Sequence, residues 1–202
     1  MTNQVENPPQ SNVVDNAYEN LREDIQKWQT LIQTSTDVYD LAFFKIFVKF
    51  EGFLVTVFKE YICGSGSSAY TPERRLSFED LGHFEKLVKS NSKGSFIDYL
   101  NIIGNFSKEV FVKDKNPFDC VFSDANLNPL YLRMRLIRNH IAHESSESRS
   151  SYHRRVLSNL EYIEPNEHLQ KQVPQKSYTH FTEYINAIEN AALILKNPTS
   201  YF

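Results

Sequence analysis

The segment from Arg138 to His143 places side chains suited to acid–base chemistry within about two turns of one predicted helix. A histidine can exchange protons near neutral pH, and an arginine is a permanent cation whose planar fork matches the oxygens of a phosphate. Arg138 and His143 are separated by four residues, and the polar Asn139 follows the arginine. Such groups together can move a proton and stabilise an oxyanion, which are central requirements for catalysis at a phosphate.

A second pair with the same spacing overlaps the first. Arg135 and His140 are also separated by four residues, but a leucine stands where the first pair has its asparagine. On a helical wheel His143 shares a stripe with Asn139, whereas His140 lies about 60° away. We therefore favour the first pair as the reactive one.

Arginines are concentrated around this segment. Six of the nine lie between residues 133 and 155, a stretch whose acids are Glu144 and Glu147. A local surface of this kind can hold phosphates although the chain has a net charge of −3. That net charge argues against a general nucleic-acid coat protein, which would be basic overall. An ordinary solvated charged face is the alternative interpretation.

The helix that contains this segment has two apolar stripes. Asn128 and Pro129 predict its start, as an N-cap followed by proline. The first stripe, expected to face the core, is Leu130, Met134, Ile137 and Ile141. The second stripe is Leu132, Leu136, Asn139 and His143. Either the helix is sandwiched inside a bundle or the second stripe meets a partner chain; its polar pair favours a wet cleft in a homodimer.

The wheel also separates the two reactive candidates. On an ideal helix Arg138 lies about 140° from His143, so the side chains diverge. If they act together in one chain, the helix must loosen near His143, which the polar run from Glu144 to Ser148 would allow. Otherwise the site must combine residues from two chains.

The elements around this helix predict an all-α fold. Apolar spacing and caps predict helices at residues 18–34, 37–62, 150–163 and 177–196. Two shorter helices are predicted to open at Ser77 with Asp80 and at Ser95 with Asp98. Residues 105–126 are ambiguous between short strands and irregular chain.

Length and composition predict one domain at residues 13–202 after a flexible tail at residues 1–12. The first basic residue is Arg22, so no signal peptide is expected. Charged residues interrupt the apolar run between residues 41 and 58, which argues against a membrane span. We expect a cytoplasmic protein with no membrane partner.

The segment and the helical layout resemble the HEPN superfamily, compact all-α domains of which many are metal-independent ribonucleases with an Arg-x4 to x6-His motif. Arg138, Asn139 and His143 match that motif. In the family the motif sits near the end of a bundle helix, and two copies face each other across a homodimer cleft. The resemblance implies a HEPN-like bundle with extra helices, acting as a homodimer through the motif helix.

The resemblance also implies an activity, cleavage of single-stranded RNA by attack of its own 2′-OH on the adjacent phosphate. His143 would move protons, Arg138 would stabilise the phosphorane, and Asn139 would orient the phosphate or the histidine. Residues expected to bind RNA are Arg135, His140, Arg154 and Arg155. No cofactor is implied, and a toxin or a defence or stress effector is the expected biological class.

The regulator of the protein and two alternative interpretations of the motif stay open. One toxin branch of the superfamily has a modified tyrosine two positions after the histidine; Ser145 stands there, which leaves an antitoxin or other regulator unidentified. A metal site at His140, His143 and Glu144 lacks a second ligand group at zinc spacing, so we assign no metal. The stronger rival is a non-catalytic HEPN-like module that binds RNA, a nucleotide or a protein. Surface or packing roles are expected for His83, His153, His168 and His180.

Overall fold

A computed structural model of the chain describes residues 12–90 and 99–202, which are built from helices. The α-helices are α1 (Val13–Ile32), α2 (Tyr39–Cys63), α3 (Leu81–Ser90), α4 (Tyr99–Val110), α5 (Asp119–Phe122), α6 (Leu127–His143), α7 (Ser146–Arg155), α8 (Pro165–Gln170) and α9 (His180–Lys196). Two short 3₁₀ helices lie at Thr36–Val38 and Pro198–Tyr201. The described residues contain no strand, only two isolated backbone bridges. The predicted all-α fold is confirmed.

The predicted N-terminal tail lies outside the described residues except for Asn12. The side chain of Asn12 accepts hydrogen bonds from the backbone N–H groups of Val14 and Asp15, at 2.9 and 3.3 Å. Asn12 is therefore the N-cap of α1 and not part of a tail. The helix start predicted at Ser95 and Asp98 also lies outside the described residues.

The central helix is α2, and its sequence is apolar nearly all round because other helices cover it. Phe43, Phe47 and Phe50 are fully or almost fully buried, and α1, α4, α6, α8 and α9 pack around the helix. It ends within a residue of the predicted position because Gly64 adopts a left-handed φ of 92°, where a Cβ would collide with the guanidinium of Arg74. No helix in the described part of the chain is long and apolar enough to cross a membrane.

Three predictions for the chain before α6 are wrong, the first being the start of α1, which lies at Val13 and not at residue 18. The cap of α3 is Asp80, whose carboxylate accepts from the His83 N–H at 2.8 Å, so the helix starts later than Ser77 implies. Between residues 105 and 126 the strand alternative is wrong: α4 continues to Val110, and α5 follows an irregular turn. The buried Asn116 side chain holds that turn by accepting from the Phe118 N–H at 3.0 Å.

The helix predicted for residues 150–163 is also different. It begins earlier, at the Ser145 cap, and α7 ends at Arg155. Ser158 and Asn159 then adopt positive φ values of 54° and 59°, which no continuous helix allows. The chain consequently turns back, and the carbonyl of Ile163 accepts from the Tyr152 hydroxyl at 3.2 Å.

The motif helix, α6, begins one residue before the predicted Asn128 cap. The Asp124 carboxylate accepts from the N–H groups of Asn126 and Leu127, at 2.8 and 2.7 Å, and so caps the helix. Of the predicted core stripe, Met134 and Ile137 are buried as expected, and Leu130 and Ile141 are partly buried. The helix ends at His143, because Glu144 turns to a φ of 46° and the N–H of Ser148 bonds to the Ser145 side chain, opening α7.

Candidate functional site in the groove between α6 and α7

Two adjacent hollows form one continuous surface groove, which we call the α6/α7 groove. They share Leu136 and Asn139 and have volumes of about 560 and 430 Å³. The first is lined by Leu136, Asn139, His143, Ser145, Glu147, Ser148 and Ser151. The second is lined by Pro129, Leu132, Arg133, Arg135, Leu136, Asn139 and Arg155. Every residue of the second predicted stripe therefore lines this groove.

The second stripe is open to solvent in the single chain. Leu132 is 50% exposed and His143 is exposed, while Leu136 and Asn139 are partly buried. The alternative in which α6 is sandwiched on both sides inside one bundle is therefore wrong. The exposed Leu132 and the partly buried Leu136, beside polar side chains, form the surface on which the predicted partner chain would sit.

Arg138 lies outside the groove, on the side of α6 that faces α2. Its Nη2 is 3.1 Å from Oε2 of Glu51, and its Nη1 donates to Oδ1 of Asn139 at 3.0 Å. The guanidinium Nε is buried and has no hydrogen-bond partner in the described structure. Asn139 therefore connects the arginine to the groove, although Arg138 lines neither hollow.

The arginine and the histidine of the motif do not converge within one chain. Because α6 remains helical through His143, the helix does not loosen between the two residues. The 140° divergence expected from the wheel is kept, and the side chains serve different surfaces. Within one chain the backbone therefore keeps the two motif side chains apart.

His140 lies in the interior, which separates it from the predicted RNA-binding surface. It is 6% exposed, and its Nδ1 and Nε2 lie 3.3 and 3.0 Å from the hydroxyls of Ser148 and Tyr162. Its ring stacks on Tyr152 with centroids 5.1 Å apart. Burial lowers the pKa of His140, which favours the neutral ring. His140 thus joins α6 to α7 and to the following loop, and positions one wall of the groove.

The predicted arginines divide between the rim and the surrounding surface. Arg135 and Arg155 line the groove, and the Arg135 guanidinium also lies 5.9 Å from the ring centre of Tyr131. Arg154 is exposed on α7 but lines neither hollow. Arg133, which the sequence did not single out, lines the groove as well. Within the described structure, none of these four forms an ion pair.

Two histidines for which only surface or packing roles were expected meet in a separate cavity. The rings of His168 and His180 stack at 4.4 Å, on a cavity of about 500 Å³ that α6, α8 and α9 border. The sequence held no signal for this pairing, because the two residues lie on different helices and follow no ligand spacing. Among the described residues, no group of three His, Cys, Asp or Glu side chains is placed to hold a metal ion.

Comparison of the chain with family models, curated proteins and solved structures finds no match. The candidate site therefore rests on its own geometry and on the motif residues.

Proposed function

We propose that the chain is an endoribonuclease of the HEPN type, which cuts single-stranded RNA as a homodimer without a metal ion. The observation that supports this most is the open α6/α7 groove, in which Asn139 and His143 lie together beside a rim of unpaired arginines. The two hollows, of about 560 and 430 Å³, are in the size range of ligand sites, and arginine forks suit phosphate oxygens. The motif resemblance supplies the reaction class.

In the proposed reaction the imidazole of His143 removes the proton from a ribose 2′-OH, whose oxygen attacks the adjacent phosphorus. The bond from phosphorus to the 5′ oxygen then breaks, and a protonated histidine returns a proton to that oxygen. The products are a 2′,3′-cyclic phosphate and a 5′-hydroxyl end. DNA lacks the 2′-OH and is not cut.

The role of Arg138 follows from a twofold dimer in this proposal. If Leu132 and Leu136 of two chains pack around a twofold axis, the two motif helices approach each other. Arg138 of one chain then leaves Glu51 and binds the phosphorane oxygens in the site that contains His143 of the other chain. Glu51 meanwhile keeps the guanidinium in place in the free chain.

A second candidate function has one specific observation in its favour. The ion pair between Arg138 and Glu51 withdraws the guanidinium from both hollows, while Arg135 and Arg155 stay on the rim. A groove of that kind can bind RNA phosphates, or a nucleotide or protein partner, without cutting. This is the non-catalytic HEPN-like module.

The deciding experiment is incubation of purified protein with a labelled single-stranded RNA in EDTA, with the DNA of the same sequence as control. We expect cleavage of the RNA alone, with cyclic phosphate and 5′-hydroxyl ends. Binding without cleavage would support the non-catalytic module, whereas 5′-phosphate products that require Mg²⁺ would contradict the proposed chemistry. A cytoplasmic toxin or defence effector, restrained by an antitoxin or other regulator, is the biological setting that we propose.

A further inference from the structure

The cavity beside the stacked histidines, which we call the histidine pocket, is a second concave site on the opposite side of Arg133 from the groove. Its volume of about 500 Å³ is within the range of small-molecule sites. The lining residues that matter most are Arg133, Leu157, Ile163, His168, Lys171 and His180. Apolar side chains thus face a small set of polar groups, the usual composition of a ligand site.

The floor of the pocket is a pair of neutral imidazoles. His168 is 6% exposed, and its Nε2 lies 3.3 Å from the Tyr184 hydroxyl. Burial is the main cause that lowers the pKa of His168 to about 3, and it also lowers the pKa of His180. Both rings are therefore uncharged at neutral pH and can exchange hydrogen bonds with a ligand.

One ring nitrogen in this floor is unsatisfied. The Nδ1 of His180 is buried and has no hydrogen-bond partner in the described structure. The nearest acidic oxygen, Oε2 of Glu183, is 3.6 Å away, which is beyond hydrogen-bond distance. Glu183 is thus the group next to this buried nitrogen, and a ligand in the pocket would meet the accessible part of the His180 ring instead of Nδ1.

The wall of the pocket contains one cation, Arg133, that has no ion-pair partner within the described chain. Arg133 is exposed, and its charge is near enough to add to the lowering that burial causes in the pKa of both histidines and to offset part of the rise that burial causes in the pKa of Tyr184. Lys171 also lines the pocket and pairs with Glu167 at 3.1 Å. The one acid in the lining is Glu161. An arginine that has no carboxylate partner, next to two neutral imidazoles, is suited to bind the anionic head group of a ligand.

We propose that the histidine pocket binds a small organic anion, with its phosphate or carboxylate head on Arg133, its apolar body against Leu157 and Ile163, and a polar atom at His180. Phosphate monoesters and carboxylates share this chemistry. No residue of the motif lines this pocket, although Arg133 also lines the α6/α7 groove, so binding of the anion does not require cleavage of RNA.

The test is calorimetric titration of the full chain, without RNA, with phenyl phosphate, benzoate and neutral benzyl alcohol. We expect saturable binding of at least one anion and much weaker binding of the alcohol. Arg133→Gln should weaken binding of the anion about 10-fold or more, since a charge-assisted contact is lost. Arg154→Gln removes an equal charge from a surface outside the pocket and should leave the affinity unchanged. Whichever of phenyl phosphate and benzoate binds more tightly shows whether phosphate or carboxylate is the preferred head group.

The ring NMR signals of the histidines provide a second measurement. On addition of the bound anion, the signals of His180 should shift, whereas those of the exposed His83 should not. The proposal is overturned if neither anion binds up to about 10 mM, a dissociation constant too weak for a built site. It is also overturned if the alcohol binds as well as the anions, if Arg133→Gln binds like the wild type, or if His180 does not respond. All these results are independent of whether the chain cuts RNA.

Discussion

Nη2 of Arg138 lies 3.1 Å from Oε2 of Glu51, across the contact between α6 and α2, and both side chains are largely buried. A motif arginine is therefore also part of the packing between two central helices. Loss of activity in an Arg138 variant would by itself not distinguish a chemical role from a structural one. The pair with Glu51 provides a way to separate them.

The first prediction is a double-mutant cycle on this pair. Arg138→Gln removes the ion pair with the largely buried Glu51 carboxylate and should lower the free energy of unfolding by about 1–3 kcal/mol. Adding Glu51→Gln should recover part of that stability, because two amides can bond to each other. Urea unfolding measures both effects.

The cleavage rates of the same variants should not follow their stabilities. The double variant should remain at least about 100-fold slower than the wild type, because a preorganised charge has been lost. Glu51→Gln alone keeps the arginine and should keep most of the activity. Recovery of cleavage in the double variant would show that Arg138 acts only through folding.

The second prediction contrasts His143 with His140. His143→Ala removes an exposed side chain and should change the free energy of unfolding by less than about 0.5 kcal/mol while abolishing cleavage. His140→Ala leaves a cavity and removes one of the hydrogen-bond partners of Tyr162, so it should cost about 1–3 kcal/mol. Thermal unfolding and cleavage rates on both variants check this. An inactive but fully stable His140→Ala with an active His143→Ala would show that the overlapping pair is the reactive one.

Helix α6 shows which features the sequence can predict and which it cannot. Its two stripes follow from the 3.6-residue period, and Met134 lies on the core side and His143 on the open side accordingly. The partner of Arg138 could not be predicted, because Glu51 belongs to another helix and the contact depends on how α2 and α6 cross. Pairings of this kind are set by tertiary packing.

His140 illustrates a second limit. The wheel placed it about 60° from the cleft, a position compatible with either a rim or an interior residue. Its burial depends on the loop after α7, where positive φ at Ser158 and Asn159 returns the chain so that Tyr162 meets the imidazole. Asn159 is of a residue type that is enriched at positive φ, but a single asparagine does not exclude a helix, and the sequence alone predicts one as far as residue 163.

The third prediction concerns the dimer. Leu136→Glu would place two like charges near the proposed twofold axis and should convert dimers into monomers, because the carboxylates repel and lose water. Leu193→Glu is the matched control, since Leu193 is 51% exposed on α9 and lies outside the groove. Sedimentation velocity measures the mass. A dimer mass unchanged by Leu136→Glu would exclude this interface.

The fourth prediction is a loss of stability in mild acid. The folded-state pKa of His168, about 3, is below the unfolded value of about 6.5, so protonation favours the unfolded chain. His180, Arg133, Lys171 and Tyr184 face His168, and the cations among them oppose its protonation further. The stability that His168 contributes is complete above pH 6.5 and is lost as the pH falls toward 3, with a slope of up to about 1.4 kcal/mol per pH unit.

Urea unfolding between pH 7.5 and pH 5 measures that slope. His168→Gln should be less stable at pH 7.5 but should show a shallower decline, with about one proton fewer taken up on unfolding. The exposed His83→Gln should decline in parallel with the wild type. Parallel curves for all three proteins would mean that His168 is not the group that titrates.

The last prediction is complementation between two inactive chains, and it follows from the divergence of Arg138 and His143 on one continuous helix. If each active site takes its arginine from one chain and its histidine from the other, Arg138→Ala and His143→Ala homodimers are both inactive. Mixing them under conditions of subunit exchange forms heterodimers, each with one intact arginine and histidine facing each other. Half of an equal mixture is then heterodimer with one of two sites restored, so the rate should rise to about a quarter of the wild-type rate. A mixture in which both chains also contain Leu136→Glu should stay inactive, because it cannot pair. If the two residues instead serve a site within one chain, no heterodimer contains both in the same chain, and the mixture remains as slow as its parents. That result would contradict a site shared between two chains.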